Sequence, residues 1–176
     1  MQCRGEVRDT AHMATEFELT DEMRAVIGVE SDPWPVEVTT TSVRAYARGV
    51  GYADTVYYDR DAARAAGYSD LPLPPTFPGT PVFVKGLSDD TFSGPRASGP
   101  RLNHGLKNVL DGGTELIYER PLVAGDELVM RTKVSNLEVK ESKGLGKMLI
   151  ISSESTYSDA KTGEVVVRLR GQGIFY

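Results

Sequence analysis

The second half of the chain alternates apolar and polar residues one by one. GDELVMRTKV puts Leu128, Met130, Thr132 and Val134 on one side and Glu127, Arg131 and Lys133 on the other. An extended strand with a period of two separates its side chains in this way, and a helix does not. EVVVRLRGQGIF repeats the pattern, with Val165, Val167 and Leu169 on one face. KMLIISSESTY is rich in β-formers, and ELIYERPL supplies another strand before the turn VAGD. The segments KESKGLG and SDAKTGE lie between these strands and carry the glycine and polar residues that reverse hairpins. The frame is therefore a long antiparallel meander.

The first half reads as short helices and loops. LTDEMRAVIG offers Thr20 as an N-cap, acids in the first turn and Gly28 as a stop, with Met23, Val26 and Ile27 on one apolar face. PWPVEVTTT is too proline-rich for a helix and suits a short edge strand with Val36 and Val38 alternating. TSVRAYARGVG predicts a second helix whose buried side carries Val43, Tyr46, Ala47 and Val50. Asp59 can cap a third helix through Arg60 to Ala66, which Gly67 ends. LPLPPTFPGTP forbids regular structure over most of its length. PVFVKGL is apolar enough to be buried, and SDDTFSGPRASGPRLNHG is a long Gly/Pro/Ser loop of the functional or mobile kind. The sum is an α+β domain spanning residues 17–176, with residues 1–16 as a flexible tail and no internal boundary.

Bulk properties exclude several classes. A chain of 176 residues, 40% hydrophobic and 26% charged, has the material for one full core. Its net charge of −5 and scattered basic residues argue against a nucleic-acid partner. Cys3 is the one cysteine, so no intrachain disulfide forms and no zinc-ligand spacing exists. No apolar run approaches the roughly 18 residues of a membrane helix, and the start lacks the apolar core of a secretory signal. A cytoplasmic protein is expected, with Met13 as an alternative natural start.

Three stretches, taken together and in order, carry a resemblance. GYADTVYYDRDAARAAGYSDLPLPPTF, LDGGTELIYERPLVAGDEL, and LTDEMRAVIG followed by WPVEVTTTSVRAYARGVG resemble the MaoC-like dehydratase family, in its N-terminal, FAS1-like dehydratase type. The resemblance runs from about Phe17 to Tyr176. It implies a hot-dog fold, an antiparallel sheet wrapped around a central helix. It implies pairing of two such folds, as a homo-oligomer or as a heterodimer with a second hot-dog chain. It also implies an acyl thioester of coenzyme A or acyl carrier protein as substrate, with no metal and no further cofactor. The reaction implied is reversible hydration of a trans-2-enoyl thioester to the (R)-3-hydroxyacyl form.

That reaction needs a base for water, an acid for the alpha carbon, and donors where enolate charge develops. The family's catalytic half uses the pattern Asp-x-Asn-Pro-x-His followed by a further Asp. Anchored at Asp59, the family's Asp falls on Tyr52, its Asn-Pro on Asp54 and Thr55, and its His on Tyr57. Neither acid–base residue matches, and a phenol titrates near 10. The candidate catalytic groups of this chain are therefore Asp54, Tyr57 and His104. Each has a structural alternative: an Asx turn at Asp54, packing of Tyr57 under the helix, a turn histidine at His104. The candidate substrate-binding residues are Pro75, Thr76 and Phe77 in the rigid PPTF element, and Gly112 and Gly113, whose amides could face a thioester carbonyl or form a β-bulge. Arg96, Arg101 and Lys107 are candidates for coenzyme A phosphates or for solvated loop charge. Three functions stay open: a hydratase half completed by a partner chain, a stand-alone hydratase or thioesterase with a divergent site, and a non-catalytic acyl-CoA-binding module.

Overall fold

The computed structural model describes residues 17–79 and 102–176. PVFVKGL, most of the long loop, Arg96, Arg101 and the tail with Cys3 and His12 lie outside the described residues. Among the described residues five strands form one antiparallel sheet: β1 (Trp34–Glu37), β2 (Val109–Tyr118), β3 (Glu127–Ser142), β4 (Gly146–Asp159) and β5 (Val165–Phe175). Their order across the sheet is β1-β3-β4-β5-β2. The two hairpins fall where glycine and polar residues cluster, between Ser142 and Gly146 and between Asp159 and Val165. The proline-rich strand β1 stands at one edge, where its missing N–H costs no ladder bond.

Among the described residues three α-helices precede the meander: α1 (Asp21–Ala25), α2 (Thr40–Gly49) and α3 (Arg60–Ala65). Thr20 caps α1 by accepting the Met23 N–H at 3.2 Å. Asp59 caps α3, its Oδ1 accepting Asp61 and Ala62 N–H at 2.7 and 2.9 Å. Those two bonds hold the Asp59 carboxyl below its ordinary range. In α2, Thr39 and Ser42 form a reciprocal capping box, a signal the sequence reading did not use.

Three expectations are corrected. Helix α1 ends at Ala25, so Ile27 leaves the apolar face; it is 39% exposed and bridges Val134 instead. In α2, Val43 and Ala47 are fully buried, but Val50 lies past the helix end and is 46% exposed. On β5 the register slips between Tyr157 and Ser158, so Val166 and Val167 are both buried while Val165 is only partly so. A bulge inserts one residue and flips the faces beyond it.

The core has two parts on one face of the sheet. One gathers Val36, Val43, Ala63, Leu71, Phe77, Leu128, Tyr157 and Val167 with their neighbours. The other gathers Phe17, Met23, Leu137 and Leu149 at the far ends of β3 and β4. Two turns are tied by Arg120, whose guanidinium donates to Asp126 at 2.8 and 3.2 Å and to Asp159 at 3.2 Å. This gives the RPL and GD residues of the resemblance a structural role.

Candidate functional site

Helix α2 carries the region where the candidate residues meet. The chain turns sharply at its end, where Gly51 has φ +80 and Tyr52 N–H donates to Ala47 O at 2.8 Å. The following loop is closed on itself: Tyr58 Oη donates to Tyr52 O at 2.5 Å. Arg44 holds it from the helix, its Nε and Nη2 donating to Tyr58 O at 3.1 and 2.8 Å.

Within this loop Asp54 caps a short 3₁₀ turn, Thr55–Tyr57, with Oδ1 accepting Val56 N–H at 3.1 Å. That is the Asx geometry expected of an aspartate replacing a turn asparagine. The rings of Tyr52 and Tyr57 stack at 5.5 Å with an interplanar angle of 22°. So the two residues at the family's acid–base positions face one another, as phenols. Burial raises the Tyr57 pKa first, and Tyr52, Tyr68 and Asp54 raise it further. These effects hold the Tyr57 phenol further towards its neutral form.

Tyr46, also on α2, reaches the second group of candidates. Its Oη lies 2.8 Å from Thr76 Oγ1, and its ring meets Phe77 edge-on at 5.2 Å. Phe77 is 2% exposed and belongs to the core, while Pro75 and Thr76 lie at the surface. Two further tyrosines support this turn: Tyr118 Oη donates to Pro75 O at 2.7 Å, and Tyr157 Oη donates to Pro78 O. Burial raises both phenols, Tyr157 to about 12, so both remain donors. Tyr46, expected on the buried side of α2, and Tyr118 and Tyr157, which have no expected role, thus join the candidate site. No local sequence signal marks Tyr118 or Tyr157, whose acceptors lie far along the chain.

The remaining candidates stand apart. His104 is at the other end of the sheet, its ring 4.4 Å from Phe175. Val167, in the core beneath α2, and Phe175 are eight residues apart on β5, or roughly 26 Å at strand rise. His104 Nδ1 accepts Leu106 N–H at 3.1 Å, a local turn, and burial lowers its pKa. The structure therefore brings Asp54 and Tyr57 together and leaves His104 elsewhere. Gly112 and Gly113 sit at a register shift opposite Gln172 and Gly173, which is the bulge. Gly113 has φ +116, and its N–H is taken by Asp111 Oδ1 at 2.8 Å. A Cβ on Gly112 would lie 2.9 Å from Gln172 Cβ. Lys107 is exposed. Among the described residues no cluster of three metal-ligating side chains occurs, and no helix is long and apolar enough to cross a membrane.

A sheet of this order with its small helices defines a hot-dog fold. The chain belongs to the FAS1-like dehydratase family, whose dehydratase domain region matches residues 25–169. It is 33% identical over 132 residues to the UPF0336 protein Franean1_6066 of Parafrankia sp. (strain EAN1pec), covering 75% of this chain and 79% of that one. Among solved structures it resembles a MaoC-like dehydratase at 25% identity and a TM-score of 0.64, covering 87% of this chain but 43% of that one. It also resembles the C-terminally truncated HadBC (3R-hydroxyacyl-ACP dehydratase) complex of Mycobacterium tuberculosis. That match has 18% identity and a TM-score of 0.61, and covers 85% of this chain and 98% of that one. The last likeness is one of fold.

Proposed function

We propose that this chain is the non-acid–base half of an (R)-specific 2-enoyl-thioester hydratase, or 3-hydroxyacyl-thioester dehydratase, completed by a second hot-dog chain. The observation that carries the reading is the stacked Tyr52–Tyr57 pair at the two positions where the family's catalytic half has Asp and His. A phenol is a poor base for water, burial raises the Tyr57 pKa further, and Asp54 spends an oxygen on its own turn. On this reading the loop closes its own turn and carries no proton-transfer pair. A partner chain with Asp and His in its own loop would supply the chemistry, and this chain would supply part of the acyl-binding wall. Two comparisons support the division of labour. The MaoC-like dehydratase is more than twice as long as the matched part, and HadBC is described as a complex.

Co-expression tests the reading. The chain is produced with a hot-dog chain bearing an intact Asp-x-Asn-Pro-x-His loop, and the pair is assayed for hydration of crotonyl-CoA. A stable pair whose turnover disappears when the partner's Asp or His is replaced supports the proposal. A pair that assembles and never hydrates any enoyl thioester contradicts it and favours the binding-module alternative.

A further inference from the structure

The run from Pro72 to Pro78 holds four prolines in seven residues. Prolines have no N–H, so such a run cannot complete a backbone ladder, and its carbonyls need donors from elsewhere. Inside the run only Phe77 N–H to Pro74 O, at 3.0 Å, closes a turn. Among the described residues two phenols donate to carbonyls of the run, and a third meets its one hydroxyl. Tyr118 on β2 serves Pro75 O at 2.7 Å, Tyr157 on β4 serves Pro78 O, and Tyr46 on α2 pairs with Thr76 Oγ1 at 2.8 Å.

Phenylalanine at positions 118 and 157 would fill nearly the same volume and avoid burying a hydroxyl, which costs free energy unless it is paired. The two hydroxyls are instead spent on this one turn. Tyr157 is 5% exposed, so its bond is shielded from competing water. The turn is thus gripped from the sheet side by Tyr118 and Tyr157, and its other side leaves Pro75 and Thr76 exposed. Through Tyr46 the exposed side is joined to α2, and through Ala47 and Arg44 the same helix holds the tyrosine loop. One rigid unit therefore contains both candidate surfaces.

We propose that Tyr118 and Tyr157 are positioning residues that fix the Pro75–Thr76 face as a preformed wall of the acyl-thioester site. The proposal rests on the hydratase-half reading above. It assigns these tyrosines a role in binding and none in proton transfer.

The test uses the assembled pair of hot-dog chains with Tyr118→Phe and Tyr157→Phe in this chain, each assayed with a trans-2-enoyl-CoA. A loosened wall raises KM about tenfold and leaves kcat within twofold, with faster amide exchange at Phe77. Tyr118 is only partly buried, so Tyr118→Phe keeps the test usable where Tyr157→Phe folds poorly. Tyr46→Phe removes only the surface link and is expected to raise KM about threefold. Unchanged KM in Tyr118→Phe with faster exchange at Phe77 would make the grip purely structural and overturn the proposal. So would a fall in kcat at constant KM. If the unaltered pair turns over no enoyl thioester, the hydratase reading itself fails and takes the proposal with it.

Discussion

Asp54 is the carboxylate best placed to contradict the account, and two substitutions separate its possible roles. In the structure its Oδ1 accepts the Val56 N–H at 3.1 Å and caps a single 3₁₀ turn at the surface. Asp54→Asn keeps an acceptor oxygen in the same place and should leave the turn intact. Asp54→Ala removes the cap. Cap removal costs about 0.5–2 kcal/mol, and an exposed one-turn element belongs near the low end, about 0.5–1 kcal/mol. For a domain of this size that lowers Tm by roughly 1–4 °C. Hydration activity of the assembled pair should stay within about twofold for Asp54→Asn. A general base would behave differently, because its replacement by an amide removes about 10²–10⁴-fold of rate without touching the fold. The assay is paired: thermal melting of each variant, and turnover of crotonyl-CoA by the complex. A loss of a hundredfold or more in Asp54→Asn at unchanged Tm would refute the turn-cap reasoning and return the acid–base role to this chain.

Further outcomes follow from the same geometry. Gly112→Ala places a Cβ 2.9 Å from Gln172 Cβ and 3.1 Å from Gln172 O, so denaturant unfolding should show a loss of about 1–3 kcal/mol. Arg120→Ala removes the charged partner of Asp126, whose side chain is 14% exposed and still accepts the Val123 N–H at 2.9 Å, and should cost about 1–3 kcal/mol by the same measurement. Burial depresses the His104 pKa, so the unfolded chain binds the extra proton first as pH falls. Stability from this group is therefore complete above its ordinary value near 6.5 and declines below it towards the folded value. His104→Leu should flatten that slope in melts at pH 7, 6 and 5; an unchanged slope would assign it to other groups.

The strands and caps were legible because their causes are local. Leu128, Met130 and Val134 declare a strand within ten residues, and Thr20 and Asp59 declare helix starts within four. What escaped the sequence depends on partners far along the chain. The slip that buries Val166 arises from pairing with β4 and leaves no mark in EVVVRLRG. Tyr118 and Tyr157 bond carbonyls 43 and 79 residues away, so nothing near them announces the contact. The loop at residues 51–58 was half legible. Its Asx turn and missing histidine could be read from GYADTVYY, but the stacking of Tyr52 on Tyr57 depends on a turn closed by Arg44 and Tyr58.

The central claim is that this chain cannot carry out the proton transfers by itself. Steady-state hydration of a saturating trans-2-enoyl-CoA by the purified chain alone tests it most directly. No turnover above the uncatalysed rate is expected until the partner hot-dog chain is added, and rapid turnover afterwards. Turnover by the isolated chain at the rate of the complex would contradict it.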